Sequence, residues 1–287
     1  MSFRVCRMVT VLFIVPVLFL LGSCTVFENR EHCPNYFTVD FTEVDNTIKE
    51  WQMWLLGSDG EVLFKDTIYR RSYSQPYTVE VPRSRNVKCL LWGNIRKSTL
   101  LNEVYSSGTY FTKLKDVSAD SLYSFTDIIS TMEEDSYVKV KPQKEFATVD
   151  IYIKGWVGSD YEANMVLACA SSGFYIGKEF REEMSYTKVA VYEIGNTYTH
   201  FRCRMLRQPD TENLILKLHI RELDDNGSLG DVIADREIPI GEYLYANGYD
   251  MQKESLDDIE MELDYTYNEF VIRTSDWNAV YQIKGEI

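Results

Sequence analysis

"TVDIYIK", residues 148–154, and "NLILKLHI", residues 213–220, each place every second side chain on one apolar face. Val149, Ile151 and Ile153 line the first face, and Leu214, Leu216, Leu218 and Ile220 the second. Successive side chains of a strand point to opposite sides, so a period of two marks a half-buried strand. A helix would repeat its apolar residues at spacings of three and four, and neither stretch does.

The same period recurs on both sides of these stretches. In "YFTVDF", Phe37, Val39 and Phe41 alternate with Thr38 and Asp40; in "YTVEVP", Tyr77, Val79 and Val81 alternate with Thr78 and Glu80. "DIEMELDY" repeats it with Ile259, Met261, Leu263 and Tyr265. "GSDGE" separates "WQMWLL" from "VLFKDTI", and "DDNGSLGD" separates "LKLHIREL" from "VIADREI". Both read as hairpin connections through Gly, Asn and Asp. Short alternating runs with frequent turns indicate an all-β chain of antiparallel sandwiches. The alternation weakens between Ser98 and Asp135, where "SADSLYSFTDIISTMEEDS" reads as loop with a short helix. It resumes at "YVKVKP". Pro142 marks a boundary between an N-terminal sandwich over 35–142 and a C-terminal one over 143–287.

The N-terminus has a different character. Arg4 and Arg7 precede an apolar run from Met8 to Leu21, shorter than the roughly 20 residues of a membrane span. It matches the core of a secretory signal. Leu21-Gly22-Ser23-Cys24 looks like a lipobox, with cleavage between Ser23 and Cys24 after the Cys24 thiol accepts lipid. Several acyl chains, palmitate among them, would give durable attachment where one would not. Residues 24–34 then form a solvated spacer.

The whole chain carries a formal charge of −14, and loss of residues 1–23 removes two arginines and no acid. That excludes nucleic acid as a partner, since phosphates need a basic footprint. It also disfavours electrostatic docking on anionic lipid. Cys33, Cys89, Cys169 and Cys203 remain in an oxidising compartment, where disulfides are allowed. With two domains, Cys33–Cys89 and Cys169–Cys203 would keep each bridge within one. Cys89 alternates with Val87 and Leu91, and reads equally well as a buried strand residue.

Motifs for chemistry are scarce. The three histidines, His32, His200 and His219, show no ligand spacing, and His219 sits beside Lys217 and Arg221 on a solvated face. No Gly-x-Ser-x-Gly elbow, His-Glu-x-x-His pair or phosphate-binding glycine loop is present, so the reading is not an enzyme and calls for no cofactor or metal. Asp224, Asp225, Asn226 and Asp231 lack the order of a calcium loop and read as a bare turn. Trp51 and Trp54 lie on opposite faces of one strand, so at least one points into a core.

Four stretches carry a resemblance. A lipobox cysteine and "REHCPNYFTVDFTEVD" are followed by "VEVP", then "CLLWGN", then a late "FVIRTSDWNAV". In order and wording the mature chain resembles the FimB-type fimbrial anchor subunits of Bacteroidales. Family members often carry Cys-Pro-Cys where this chain has Cys33-Pro34-Asn35, which weakens a disulfide taken from the family.

The resemblance implies two transthyretin-like sandwiches on an outer-membrane lipoprotein at the base of a fimbrium. It implies attachment of a shaft subunit to the cell, a role in setting fimbrial length, and contacts made by strand pairing. Related polymerising subunits are cut after an arginine; a tethered base subunit should stay uncut at Arg30. The tail offers a donor strand through Phe270 and Ile272, then Val280 and Ile283, its plain alternative being the last strand of the second sandwich. Other readings are a glycan-binding surface lipoprotein, and a fimbrial tip subunit or adhesin.

Overall fold

A computed structural model describes residues 33–96, 99–105, 108–113, 118–154, 161–175, 180, 183–195, 197–264, 270–274 and 277–283. The fold is all-β. The first half supplies β1 (Asn35–Asp40), β2 (Glu50–Leu56), β3 (Val62–Tyr69), β4 (Tyr77–Val81), β5 (Val87–Gly93), β6 (Thr99–Tyr105) and β7 (Gly108–Lys113). It continues with β8 (Tyr123–Ile129), β9 (Asp135–Lys139) and β10 (Gln143–Lys144). The second half supplies β11 (Phe146–Lys154), β12 (Tyr161–Cys169), β13 (Gly173–Tyr175), β14 (Ser185–Ile194), β15 (Tyr198–Leu206), β16 (Ile215–Leu223) and β17 (Leu229–Ile238). A short helix, α1 (Ile240–Ala246), precedes β18 (Ile259–Asp264), β19 (Phe270–Thr274) and β20 (Trp277–Ile283).

In the first half, a three-stranded sheet ordered β4-β1-β9 faces a five-stranded sheet ordered β10-β8-β5-β2-β3. The alternating residues of β1 and β5 decide this packing: Phe37 and Val39 from one sheet meet Met53, Cys89 and Leu91 from the other, all with no exposure. In the second half the order is β17-β16-β12-β14-β15-β11-β18-β19-β20. β14 changes neighbours along its length, pairing with β12 over Ser185–Val189 and with β15 over Ala190–Ile194. That change folds one ladder into two layers around a core that includes Val149, Ile151, Phe201, Leu216, Leu218 and Met261.

Both hairpins form as their turn residues require. Gly60 (φ 83°) turns β2 into β3, and Gly227 (φ 74°) turns β16 into β17. The Asp224 carboxylate accepts the N–H groups of Asn226 and Ser228 at 2.9 and 2.7 Å, so it serves the turn itself.

One expectation needs correction. The stretch 118–136 contains strand β8, which pairs with β5 from Gly93↔Tyr123 to Val87↔Ile129, rather than a helix. Within the antiparallel sandwiches two pairings are parallel: β1 runs with β9, and β11 with β18. The same three-strand pattern therefore occurs twice, with β1 between β4 and β9 and β11 between β15 and β18. Cys33 is exposed, and Cys89, Cys169 and Cys203 are buried. Cys89 sits in the first core and the other two in the second. Burial, with Asp127 nearby, holds the Cys89 thiol far above its ordinary pKa.

Trp51 and Trp54 are both buried, in different cores. Trp51 faces the three-stranded sheet, while Trp54 joins Leu56, Leu90 and Trp92 on the opposite face of the five-stranded sheet. Phe174 and Leu206 from the second half complete that cluster, and the Trp92 and Phe174 rings lie 6.3 Å apart. A fourth sheet, β13-β7-β6, also joins the halves, with Phe174 opposite Phe111. The two central strands of the five-stranded sheet, β2 and β5, are thus buried on both faces.

Candidate assembly surfaces

The chain enters its fold at β1, which is a central strand and not an edge. Its register runs Asn35↔Val81 to Val39↔Tyr77 against β4, and Tyr36↔Asp135 to Asp40↔Lys139 against β9. Phe37, Val39 and Phe41 are fully buried beneath it. Removing three such side chains from water contributes on the order of 1.5–3 kcal/mol each.

Polar groups fix the entry. Arg83 donates from Nε to the Cys33 carbonyl and from Nη1 to the Met132 carbonyl, each at 3.0 Å. Asn35, itself fully buried, donates to the Glu133 carbonyl at 3.0 Å and accepts from Ser136 Oγ at 2.7 Å. At the far end the Tyr137 hydroxyl donates to Asp40, and the Thr42 N–H reaches the same carboxylate at 2.8 Å. These two bonds hold the Asp40 carboxyl below its usual pKa, the tyrosine contributing most. Arg83 and Asn35 had no distinctive sequence signal, because their partners lie about fifty and a hundred residues away.

Ser23, Cys24 and Arg30 lie outside the described residues. The tail residues Phe270 and Ile272 fall on β19, and Val280 and Ile283 on β20. The two strands pair with Phe270 opposite Ile283 and Ile272 opposite Tyr281, and β19 pairs in turn with β18. β20 therefore forms one edge of the long ladder. An edge carries unpaired backbone groups that another chain can complete.

His200 contributes to an outward aromatic cluster. Its Nε2 lies 2.6 Å from Asp150 Oδ1, which also accepts Arg202 Nε at 2.6 Å. Tyr152 stacks on the imidazole at 4.3 Å, and the Arg202 guanidinium covers the Tyr192 ring at 4.1 Å. Among the described residues, no group of three or more His, Cys, Asp or Glu is placed to hold a metal ion.

No protein-family model and no curated protein matches the sequence. Solved structures do match. The fimbrial anchor protein Mfa2 from Porphyromonas gingivalis superposes with a TM-score of 0.62 at 11% identity, covering 85% of this chain and 98% of that one. A protein of Bacteroides ovatus described as a candidate adhesin gives 0.64 at 10% identity, covering 88% and 96%. A Bacteroides thetaiotaomicron structure, described as a candidate polysaccharide-binding protein, gives 0.59 at 11% identity, covering 87% and 98%. Over nearly its whole described length, the chain has the fold shared by the fimbrial anchor Mfa2 and these two Bacteroides proteins.

Proposed function

We propose that this chain is an outer-membrane lipoprotein, acylated at Cys24, that anchors a fimbrium to the cell surface and limits its length. It comprises a signal over 1–23, a spacer over 24–34, and two sandwiches over 35–142 and 143–287. The central placement of β1 carries the reading. A tether attached before β1 loads the ladders to β4 and β9 along the strand axis, so many hydrogen bonds share the force. An edge strand under the same load would have one ladder to share it instead of two. The fold likeness to a fimbrial anchor supports the same conclusion.

The test is Cys24→Ser. Without the acceptor sulfur the protein should leave the membrane fraction, and fimbriae should be shed with it. Full membrane retention of the variant, with no lipid mass on the parent, would sink the proposal.

A second reading is glycan binding, favoured by the exposed ring of Tyr192 beside Arg202, Asp150 and Tyr152. Selective signal on a glycan array, lost in Tyr192→Ala, would favour it over anchoring alone.

A further inference from the structure

β12 and β14 are neighbours for only half their length. From Met165↔Val189 to Cys169↔Ser185 they pair. Beyond that point β14 turns to β15, leaving Tyr161–Asn164 bonded only to β16 and Ala190–Ile194 bonded only to β15. Among the described residues, no strand pairs with the facing sides of these two segments. Each facing side carries N–H and C=O groups of alternate residues, which need a partner or water.

Between the two open edges lies a cavity of about 70 Å³, lined chiefly by Ile153, Ala163, Val191, Ile194, Phe201 and Ile220. Its floor belongs to the second core, since Ile153, Phe201 and Ile220 are at most 1% exposed. Its lip does not: Val191 and Ile194 are 50% and 63% exposed. A bulge at Tyr192, between Val191 and Glu193, shifts the register of β14. The extra residue lets two side chains three apart turn toward the same cavity, where a regular strand would send them to opposite faces.

Backbone groups left without a strand on two sides among the described residues, with an apolar slot between them, have one common complement. A small molecule could fill the slot but not the two edges, and a helix satisfies its own backbone. We propose that this cleft accepts an extended polypeptide strand from another protein, with alternate aliphatic side chains seated against Val191, Ile194 and Ala163. Main-chain bonds would supply affinity and the slot would select the side chains. Glu162, Glu193 and Glu222 are exposed on the strands that flank the cleft, which favours a strand with basic ends; Arg221, opposite Glu162, bonds to His219. The inference deepens the subunit-contact reading and rests on it only for the source of the strand.

The probe is a fluorescein-labelled peptide, Lys-Ile-Thr-Val-Thr-Ile-Thr-Lys, capped at both ends and titrated by anisotropy into the folded, soluble Cys24→Ser protein. A control peptide has proline in place of the central valine, which removes a donor and blocks pairing. Saturable binding is expected, at least tenfold weaker for the control peptide and for Val191→Arg and Ile194→Lys. Both side chains are more than half or half exposed, so the variants should melt like the parent; Ile128→Arg, at a distant and exposed site, should bind normally. Hydrogen exchange should slow on peptide addition at 161–164 and 190–194. Absence of saturable binding, equal binding of the proline peptide, or protection at other strands would each overturn the cleft. Fimbrial retention in cells separates the two ideas. Cleft binding with normal fimbriae in Val191→Arg cells supports the cleft and removes the shaft as its partner. No cleft binding, with fimbriae still released by Cys24→Ser, overturns the cleft and leaves the anchor reading standing.

Discussion

Glu145 and Arg207 form an ion pair at the seam between the five-stranded sheet and the nine-stranded ladder, with side-chain exposures of 1% and 0%. Every donor of the guanidinium is used. Beyond the Glu145 carboxylate, Nη1 reaches the Met251 and Lys253 carbonyls at 2.5 and 2.7 Å, and Nη2 reaches Lys144 and Glu254 at 3.2 and 3.1 Å. Ser124 Oγ donates to the other Glu145 oxygen at 2.5 Å. A charged pair so far from water stands only because its desolvation is offset on both partners.

Arg207→Leu should therefore cost about 3–5 kcal/mol, leaving a buried carboxylate and four carbonyls without their donor. Urea denaturation gives the number directly. Glu145→Gln should cost less, since an amide can still accept from Arg207. Arg236→Leu, on exposed β17, should stay within about 0.5 kcal/mol. A loss of under 1 kcal/mol for Arg207→Leu would mean the seam does not depend on this pair.

Stability should fall in acid, and Asp258 should account for part of the fall. Burial works to raise its pKa, but the Lys144 ammonium at 2.6 Å and the Thr148 N–H at 2.7 Å outweigh it, so the net shift is downward. Asp40 is lowered as well. An unfolded aspartate titrates near about 3.9. Because the folded values lie below that, the stabilisation is complete above the unfolded pKa and is lost as pH falls through the folded one. Urea midpoints should hold between neutrality and about pH 5, then drop below about pH 4. Asp258→Asn should start lower at neutral pH and show a shallower acid limb. An unchanged limb would exclude this carboxylate.

Gly241 marks the closest approach in the second half. A Cβ there would lie 2.2 Å from the Thr211 carbonyl oxygen and 2.5 Å from that of Glu212. Its own N–H bonds to Leu214 at 2.9 Å, so α1 is drawn onto the connection between β15 and β16. Gly241→Ala should cost at least the 1–3 kcal/mol typical of overpacking, roughly, because backbone rather than a flexible side chain must move. Gly248→Ala removes a left-handed residue (φ 78°) with open space around it, and thermal melts should show the smaller loss there.

The strands that read clearly in the sequence are those with one face in a single core: β1, β4, β11, β16 and β18 all show a period of two. β2 and β5 are harder, because "EWQMWLL" and "VKCLLWG" are apolar on both faces. The period is blurred, and only the structure separates the Trp51 core from the Trp54 core. β8 failed for the opposite reason. Its inward face, Tyr123, Phe125 and Ile129, is only partly buried against the first core and is interrupted by exposed Asp127, so its apolar period is thin. Arg207 and Glu145 carry no local sequence signal of burial, since their partners are set by the fold and the two lie 62 residues apart in the chain. The two parallel pairings are likewise set by segments far apart, β1 with β9 and β11 with β18.

The tail prediction follows from the edge position of β20. Truncation after Asn268 removes β19 and β20 but leaves β18 paired with β11 over Val149↔Ile259 to Lys154↔Asp264. The described side chains of the second core end at Leu263. The shortened protein should therefore fold, with a cooperative melt and an unchanged β signature in far-UV circular dichroism. If the tail joins the fimbrial shaft, cells carrying this variant should keep the lipoprotein in the outer membrane yet shed their fimbriae. Phe270→Asp with Ile283→Asp, at one facing pair of the hairpin, should weaken the joint while keeping the chain length. A folded, membrane-bound truncation that still holds full-length fimbriae would assign β19 and β20 to the sandwich alone and move the joint elsewhere on the molecule.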